Sequence, residues 1–277
     1  MHTIFEPGRP ATMTPMSCDL DHVDTLIRYS DRTAEGGCIT ANGEYTFGME
    51  DHARRVHNAR RETIRFGTHG FELLKHSTDV NFADPADVVA RYHAQACQLV
   101  RELTGASDVF AFLGILRGGE ANAGGGPALS AHVDFNAVSL RGWVKRLAPE
   151  RAEQLVNKRL VNINLWRGTR PVENMPLAVC DARSTEKTDF MNVRFGGGET
   201  ASMSEVAGGF NLAFNPAHRW YYYPHMQPDE VLAFRLFDTG DPDWRMTAHT
   251  SFVDPSAVPG SPKRESFEIR TLAVLDT

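Results

Sequence analysis

The sequence predicts a mainly β protein, a jelly roll with flanking helices. Three observations carry this. Short apolar runs separated by Gly, Pro and Asp turns fill the chain from about residue 160 to its end. Only one long stretch, residues 85–104, keeps a helical period. No repeat period and no low-complexity tract points to a solenoid or a disordered chain.

Each element follows from its residues. The first 45 or so are rich in turn formers, with Gly36-Gly37 and Asn42-Gly43, and read as an arm or cover of short strands. Residues 51–61 are polar and basic, and Phe71 to Leu74 is a short apolar run. A helix is expected from Pro85 to Thr104. Asp84 or Asp87 caps it, Val88, Val89, Tyr92, Ala96, Leu99, Val100 and Leu103 recur at helical spacing, and Gly105 ends it. Val109 to Leu113 reads as a strand. Gly118 to Pro127 holds five glycines and reads as the rim loop of a site, since neither GxxxxGK[ST] nor GxGxxG is present. Strands are expected at 132–140, 160–166, 177–181, 189–195, 209–214, 220–223, 231–237, 247–253 and 266–275, with a helix at 149–157. The whole chain, 1–277, reads as one domain. Residues 1–110 form an N-terminal cover and supporting helix, and residues 111–277 the core.

Composition narrows the function. Hydrophobic residues make up 42% and charged residues 23%, enough apolar chain for a core that encloses a pocket. The net charge of -6, with no block of Lys or Arg, argues against a nucleic-acid partner. Cys18, Cys38, Cys97 and Cys180 are far apart and form no CxxC, which argues against a disulfide framework and a cysteine zinc site. No signal peptide and no apolar stretch of membrane-spanning length is legible, so the expected location is cytoplasmic, with no membrane partner. A homodimer stays open.

His132-Val133-Asp134 is the pair that carries chemistry. On a strand, residues two apart share a face, so both side chains can reach one metal. A third ligand from a distant strand would complete a two-histidine, one-carboxylate triad with open positions, as non-heme iron oxygenases need. His249, in a strand-like run near the C-terminus, is that third ligand, with His225 as its substitute. Arg264 follows fifteen residues later. A guanidinium fork there suits the distal carboxylate of 2-oxoglutarate, and Ser266, two residues on, can add a hydrogen bond. Arg270 shares the face of Arg264 and is the reserve clamp. Asn162, Asn164 and Trp166 alternate onto one face, and Asn164 is the amide expected to meet 2-oxoglutarate. Arg167 and Arg117 read as surface ion pairs, and Trp220 to Tyr223 as core.

Beyond these pieces the chain resembles the hydroxylase/desaturase family, which includes gibberellin-desaturase-like and cephamycin-hydroxylase-like enzymes. The resemblance spans about residues 45–275. It rests on Val56-His57-Asn58-Ala59-Arg60, Thr68-His69-Gly70-Phe71-Glu72-Leu73, His132-Val133-Asp134 and Asn162-Ile163-Asn164-Leu165-Trp166-Arg167. Further on it rests on Pro176 to Asp181, Trp220 to Pro224, Asp229-Glu230, His249-Thr250-Ser251-Phe252 and Arg264 to Arg270. Departures are the glycine-rich segment before His132, and Leu165 and Gly168 where valine and proline are expected. The resemblance implies a double-stranded β-helix of eight core strands, Fe(II), 2-oxoglutarate as cosubstrate, molecular oxygen and a small secondary-metabolite substrate. The expected reaction is hydroxylation, desaturation or cyclisation begun by C–H abstraction. A zinc hydrolase built on the same three ligands, a non-catalytic ligand-binding jelly roll, and an oxygenase without 2-oxoglutarate are the alternatives.

Overall fold

The computed structural model describes residues 20–40, 44–118, 126–195 and 208–276. Among them, two sheets build a double-stranded β-helix. The larger runs β1 (His22–Ser30), β3 (Met49–Asn58), β11 (Trp220–Tyr222), β8 (Leu177–Cys180), β13 (His249–Ser251), β6 (His132–Val133), β10 (Gly208–Leu212), β9 (Phe190–Phe195) and β2 (Cys38–Ile39). The smaller runs β4 (Phe71–Lys75), β12 (Glu230–Asp238), β7 (Arg159–Gly168), β14 (Glu265–Leu275) and β5 (Asp108–Gly118). One apolar core joins them, with Val56, Val179, Tyr222 and Leu212 from the larger sheet and Phe234, Trp166 and Leu272 from the smaller.

An interior strand of the smaller sheet shows how sequence alternation sorts residues. On β14, Phe267, Ile269 and Ala273 point outward into a second apolar cluster, while Leu272 and Val274 belong to the core between the sheets. Ser266, Glu268 and Arg270 lie on that inner face by the same period of two. Its neighbour β7 repeats the pattern: Ile163 and Leu165 face outward, Trp166 faces the core, and Asn162 and Asn164 share its parity. Opposite Ile269, β5 carries a bulge. Glu268 pairs with Ile115 but Arg270 with Phe112, and Leu113 at the bulge has φ +48°. Such a bulge re-aims the partner strand's side chains.

The short α1 (Phe66–His69) precedes β4, and the outer cluster is closed by the expected helix, in three parts: α2 (Pro85–Asp87), a π-helical turn (Val88–Tyr92) and α3 (His93–Thr104). The Asp84 carboxylate accepts from Ala86 N at 2.9 Å and Gly105, at φ +71°, ends the helix in the left-handed region. Val88, Tyr92, Ala96 and Val100 pack on Ile163, Leu165 and Phe267. No helix among the described residues is long and apolar enough to cross a membrane.

One expected strand is corrected. Residues 132–140 do not form a single strand: β6 stops at Val133, and α4 (Ala137–Leu147) begins three residues after Asp134. Asn136 causes the break, because its side chain accepts from Ser139 N at 2.9 Å and caps the helix. Leu140 and Val144 then bury at i,i+4 spacing, which the apolar alternation of His132-Val133-Asp134-Phe135 had masked. The expected helix at 149–157 is shorter, a 3-10 turn (Pro149–Arg151) followed by α5 (Ala152–Leu155). Residues 119–125 of the glycine-rich segment, and residues 1–19 and 41–43 of the expected N-terminal arm, with Cys18, lie outside the described residues.

β6 is short and is held from one side by a close backbone approach. A Cβ on Gly209 of β10 would stand 2.3 Å from Val133 O and 2.7 Å from Asp134 O, so only glycine fits. Gly209→Ala is therefore expected to cost about 1–3 kcal/mol, because backbone rather than a flexible side chain must move. The urea midpoint measures this, and a wild-type midpoint would show that the β6–β10 spacing is not so constrained.

Candidate metal centre

The site begins with strand register. β13 and β6 pair antiparallel with His249 opposite His132, and directly opposed residues share a face. Their rings lie 4.3 Å apart, tilted by 48°. Asp134 sits just beyond the end of β6, and its Oδ1 is 3.5 Å from His132 Nε2. One ligand atom from each of His132, Asp134 and His249 falls within 4.8 Å of the others, and no other such cluster forms among the described residues.

Hydrogen bonding and burial prepare these atoms. His132 Nδ1 lies 2.7 Å from Ser130 O, so Nδ1 carries the proton and donates, leaving the Nε2 lone pair free. Burial lowers the His132 pKa, but the adjacent Asp134 carboxylate outweighs it and holds the value above the ordinary one. Burial and then the neighbouring His132 push the His249 pKa well below the ordinary value, which keeps that ring neutral. His249 Nδ1 is buried without a hydrogen-bond partner. Burial would raise the Asp134 carboxyl, but the Arg270 charge and the two imidazoles hold it well below the ordinary range. Two imidazoles and one ionised carboxylate, with an orphaned ring nitrogen, fit a divalent iron that keeps open positions.

Arginines surround the cluster with distinct partners. Asp134 Oδ2 accepts from Arg270 Nε at 3.2 Å and Nη2 at 3.0 Å, which leaves Oδ1 toward His132. Arg270 Nη2 also lies 3.0 Å from Glu268 Oε1, which accepts from Arg117 Nε at 3.0 Å. Arg264 differs. Its Nη1 donates to Ser251 Oγ at 2.6 Å and Met175 O at 2.7 Å, and the guanidinium stands 5.4 Å from the Trp166 ring centre. It is 6% exposed and makes no ion pair among the described residues. Burial pushes its pKa down to about 10, the mark of a cation short of a counter-charge.

Two cavities meet at His132. One is lined by Arg264, Trp166, Ser251, Arg117 and both histidines. The other is lined by Ile39, Tyr45, Ser130, Asn211, His132 and Asp134, and Ala128 borders both.

The remaining expected residues divide. Ser266 is buried with an unpartnered Oγ, and Asn164, opposite Arg270 on β7, is fully buried with both amide atoms unpartnered. His225 lies in the turn after β11 at φ +48°, outside the ligand cluster. Arg167 is not a surface ion-pair former. It is 2% exposed, donates to His76 O at 2.9 Å and to Pro228 O, and covers Phe82 and Tyr92. It stands on an interior strand whose outer face is covered by the helix over 85–104, so its side chain had no route to the surface. Arg117 pairs with Glu268 at the cavity wall. Sequence reading missed Glu268, Ser251 and Asn211. Glu268 was findable, lying between two arginines on one strand face, while the other two need cross-strand register.

The family model described as an oxidoreductase/YMDC permease-like domain matches residues 25–274. Hydroxylase/desaturase efuI of Hormonema carpetanum is 28% identical, with 90% of this chain and 94% of that protein aligned. Hydroxylase/desaturase CTB9 of Cercospora beticola is 32% identical over 73% of this chain and 70% of its own. A solved structure of the iron and alpha-ketoglutarate-dependent endoperoxidase NvfI superposes with a TM-score of 0.83 at 25% identity, covering 93% of this chain and 99% of that one.

The Asp134–Arg270 pair generates a test that needs no substrate. Arg270→Leu strands a buried carboxylate, so the metal-free variant is expected to lose about 3–5 kcal/mol of stability. A divalent cation should restore part of it by neutralising Asp134. Urea unfolding with and without cobalt(II) measures both effects, and a wild-type midpoint in chelator would show that Arg270 does not neutralise Asp134.

Proposed function

This chain belongs to the hydroxylase/desaturase family of iron(II)/2-oxoglutarate-dependent oxygenases, and on that premise we propose that His132, Asp134 and His249 hold its iron while Arg264 binds 2-oxoglutarate. It is an oxidoreductase that uses Fe(II), 2-oxoglutarate and molecular oxygen to hydroxylate, desaturate or cyclise a small secondary metabolite. The observation that carries the residue assignment is a three-ligand cluster opening onto a cavity whose wall holds a buried arginine with no carboxylate partner.

When bound, iron and 2-oxoglutarate supply with oxygen the oxidant that removes hydrogen from a C–H bond, 2-oxoglutarate leaving as succinate and carbon dioxide. The chain's residues bind, orient and shield. His249, neutral already, and His132, once its proton is displaced by the metal, would donate ring lone pairs, and Asp134 offers the one oxygen that Arg270 does not hold. Arg264 takes the distal carboxylate as a fork, with its orientation set by Ser251 and Met175 O and its face covered by Trp166. Ser266 Oγ and the Asn164 amide, buried and unpartnered, supply further hydrogen bonds toward the same ligand. Arg270 is a poor clamp because both its acidic neighbours already engage it. Its role is to fix the direction of Asp134.

A zinc hydrolase on these ligands would need a free base beside the metal-bound water. The other carboxylate lining the Arg264 cavity is Glu268, held by Arg117 and Arg270 and so unsuited to take a proton. A cytoplasmic location belongs to the same proposal, supported by the free thiols of Cys38, Cys97 and Cys180.

Two sets of variants test the assignments separately. His132→Ala, Asp134→Ala and His249→Ala should each abolish turnover and bound iron while leaving the circular dichroism spectrum intact. Normal iron content in His249→Ala would remove it from the triad. Arg264→Leu should leave iron binding intact but weaken 2-oxoglutarate. Losing a buried charged partner costs about 2–5 kcal/mol, which is roughly thirtyfold or more in Kd. If calorimetry on the metal-loaded protein gives that loss for Arg270→Leu and not for Arg264→Leu, the clamp is Arg270.

A further inference from the structure

The second cavity has a polar group that nothing in the fold uses. Asn211 stands on β10 directly opposite His132, so its side chain shares the face that carries the histidines. It is fully buried, and among the described residues neither its Oδ1 nor its Nδ2 has a hydrogen-bond partner. A buried amide without partners costs stability, and native chains keep such groups where a ligand completes them. The walls beside it are Ile39, Tyr45, Ala128 and Ser130, and among the described residues no lysine or arginine lines this cavity.

We propose that this cavity is the substrate site and that Asn211 anchors the substrate by hydrogen-bonding a carbonyl or hydroxyl on a neutral, mostly apolar carbon skeleton. The inference rests on the reading of His132, Asp134 and His249 as the metal centre, because that reading places the reacting carbon beside His132. An amide offers one acceptor and two donors, so it accepts from a hydroxyl or donates to a carbonyl without needing charge on the ligand. An acidic or strongly basic substrate would leave its charge uncompensated here. The substrate then lies in the cavity on the other side of His132 from Arg264, which separates the two binding tasks by chemistry: a cation for the dianionic cosubstrate, an amide for the neutral substrate.

The test uses α-tetralone, a neutral fused-ring ketone, as the probe on the full-length chain loaded with manganese(II) and 2-oxoglutarate. Saturation-transfer NMR should show it bound to the wild type, with manganese broadening its protons. Asn211→Leu should cut the saturation signal about tenfold, the worth of one lost hydrogen bond in a buried site. The same variant should raise the Tm of the ligand-free protein by about 2–5 °C, because it removes an unsatisfied amide. Asn211→Ala, which adds no bulk, should show the same loss of signal. Equal saturation in all three proteins, no saturation of the wild type, or a fall in Tm for Asn211→Leu would each overturn the assignment. Saturation that depends on Asn211 without manganese broadening would support the Asn211 site and instead overturn the metal reading.

Discussion

The buried ion pair between Asp134 and Arg270 is the constraint on which the rest of the site depends. An isolated carboxylate cannot stay ionised between two apolar sheets, and a protonated one is a poor metal ligand. Asp134 comes from the end of a two-residue strand in the larger sheet, and Arg270 from a central strand of the smaller one. Their contact therefore ties the sheets together across the barrel. It also chooses between the two oxygens of Asp134, since the guanidinium takes Oδ2 and leaves Oδ1 on the side of His132. The height of Arg270 is set in turn by its register against Asn164 and by the bulge at Leu113.

This pairing explains the charge left elsewhere. Arg117 and Arg270 share Glu268, and Arg270 also serves Asp134, so two cations and two carboxylates balance. Arg264 is the surplus charge, buried against Trp166 with only a hydroxyl and a carbonyl for company. A fold gains nothing from an uncompensated buried cation, and desolvation already depresses its pKa. The arrangement becomes favourable when an anion enters. The same argument separates Arg264 from Arg270, which sequence spacing could not, because both occupy one face of one strand.

What the chain made legible, and what it hid, follows from the range of each interaction. Alternation along β7, β12 and β14 is local, so these strands and the outward helix over 85–104 could be read directly. The three residues that cluster could be picked out because His132 and Asp134 are two residues apart and His249 stands in a strand-like run. The break after Val133 was hidden, since a single capping side chain, Asn136, outweighs an alternating pattern that favours continuation. Asn211 was hidden more deeply. In Gly208-Gly209-Phe210-Asn211-Leu212 it reads as an ordinary polar residue on a short strand. Its meaning comes from the opposing His132, reached through antiparallel pairing with a strand far away in sequence. Glycine at 209 carried a signal of that closeness, but glycine on a strand has too many other causes to be read alone.

The two cavities divide what is general in this architecture from what is particular. A solved relative of the same fold is an endoperoxidase, and others are hydroxylase/desaturases. Different products from similar folds require that the difference lie in how the substrate is held, not in how the oxidant is made. In this chain the side that would make the oxidant is built of charges and rings locked by hydrogen bonds: His132 to Ser130 O, Arg270 to Asp134, Arg264 to Ser251. The opposite side is built from an exposed tyrosine, small and aliphatic walls, and one amide without a partner. Rigid geometry suits a step that must run the same way in every turnover. A loosely specified wall with a single directional anchor suits a step whose outcome changes when the substrate turns by a fraction of its width.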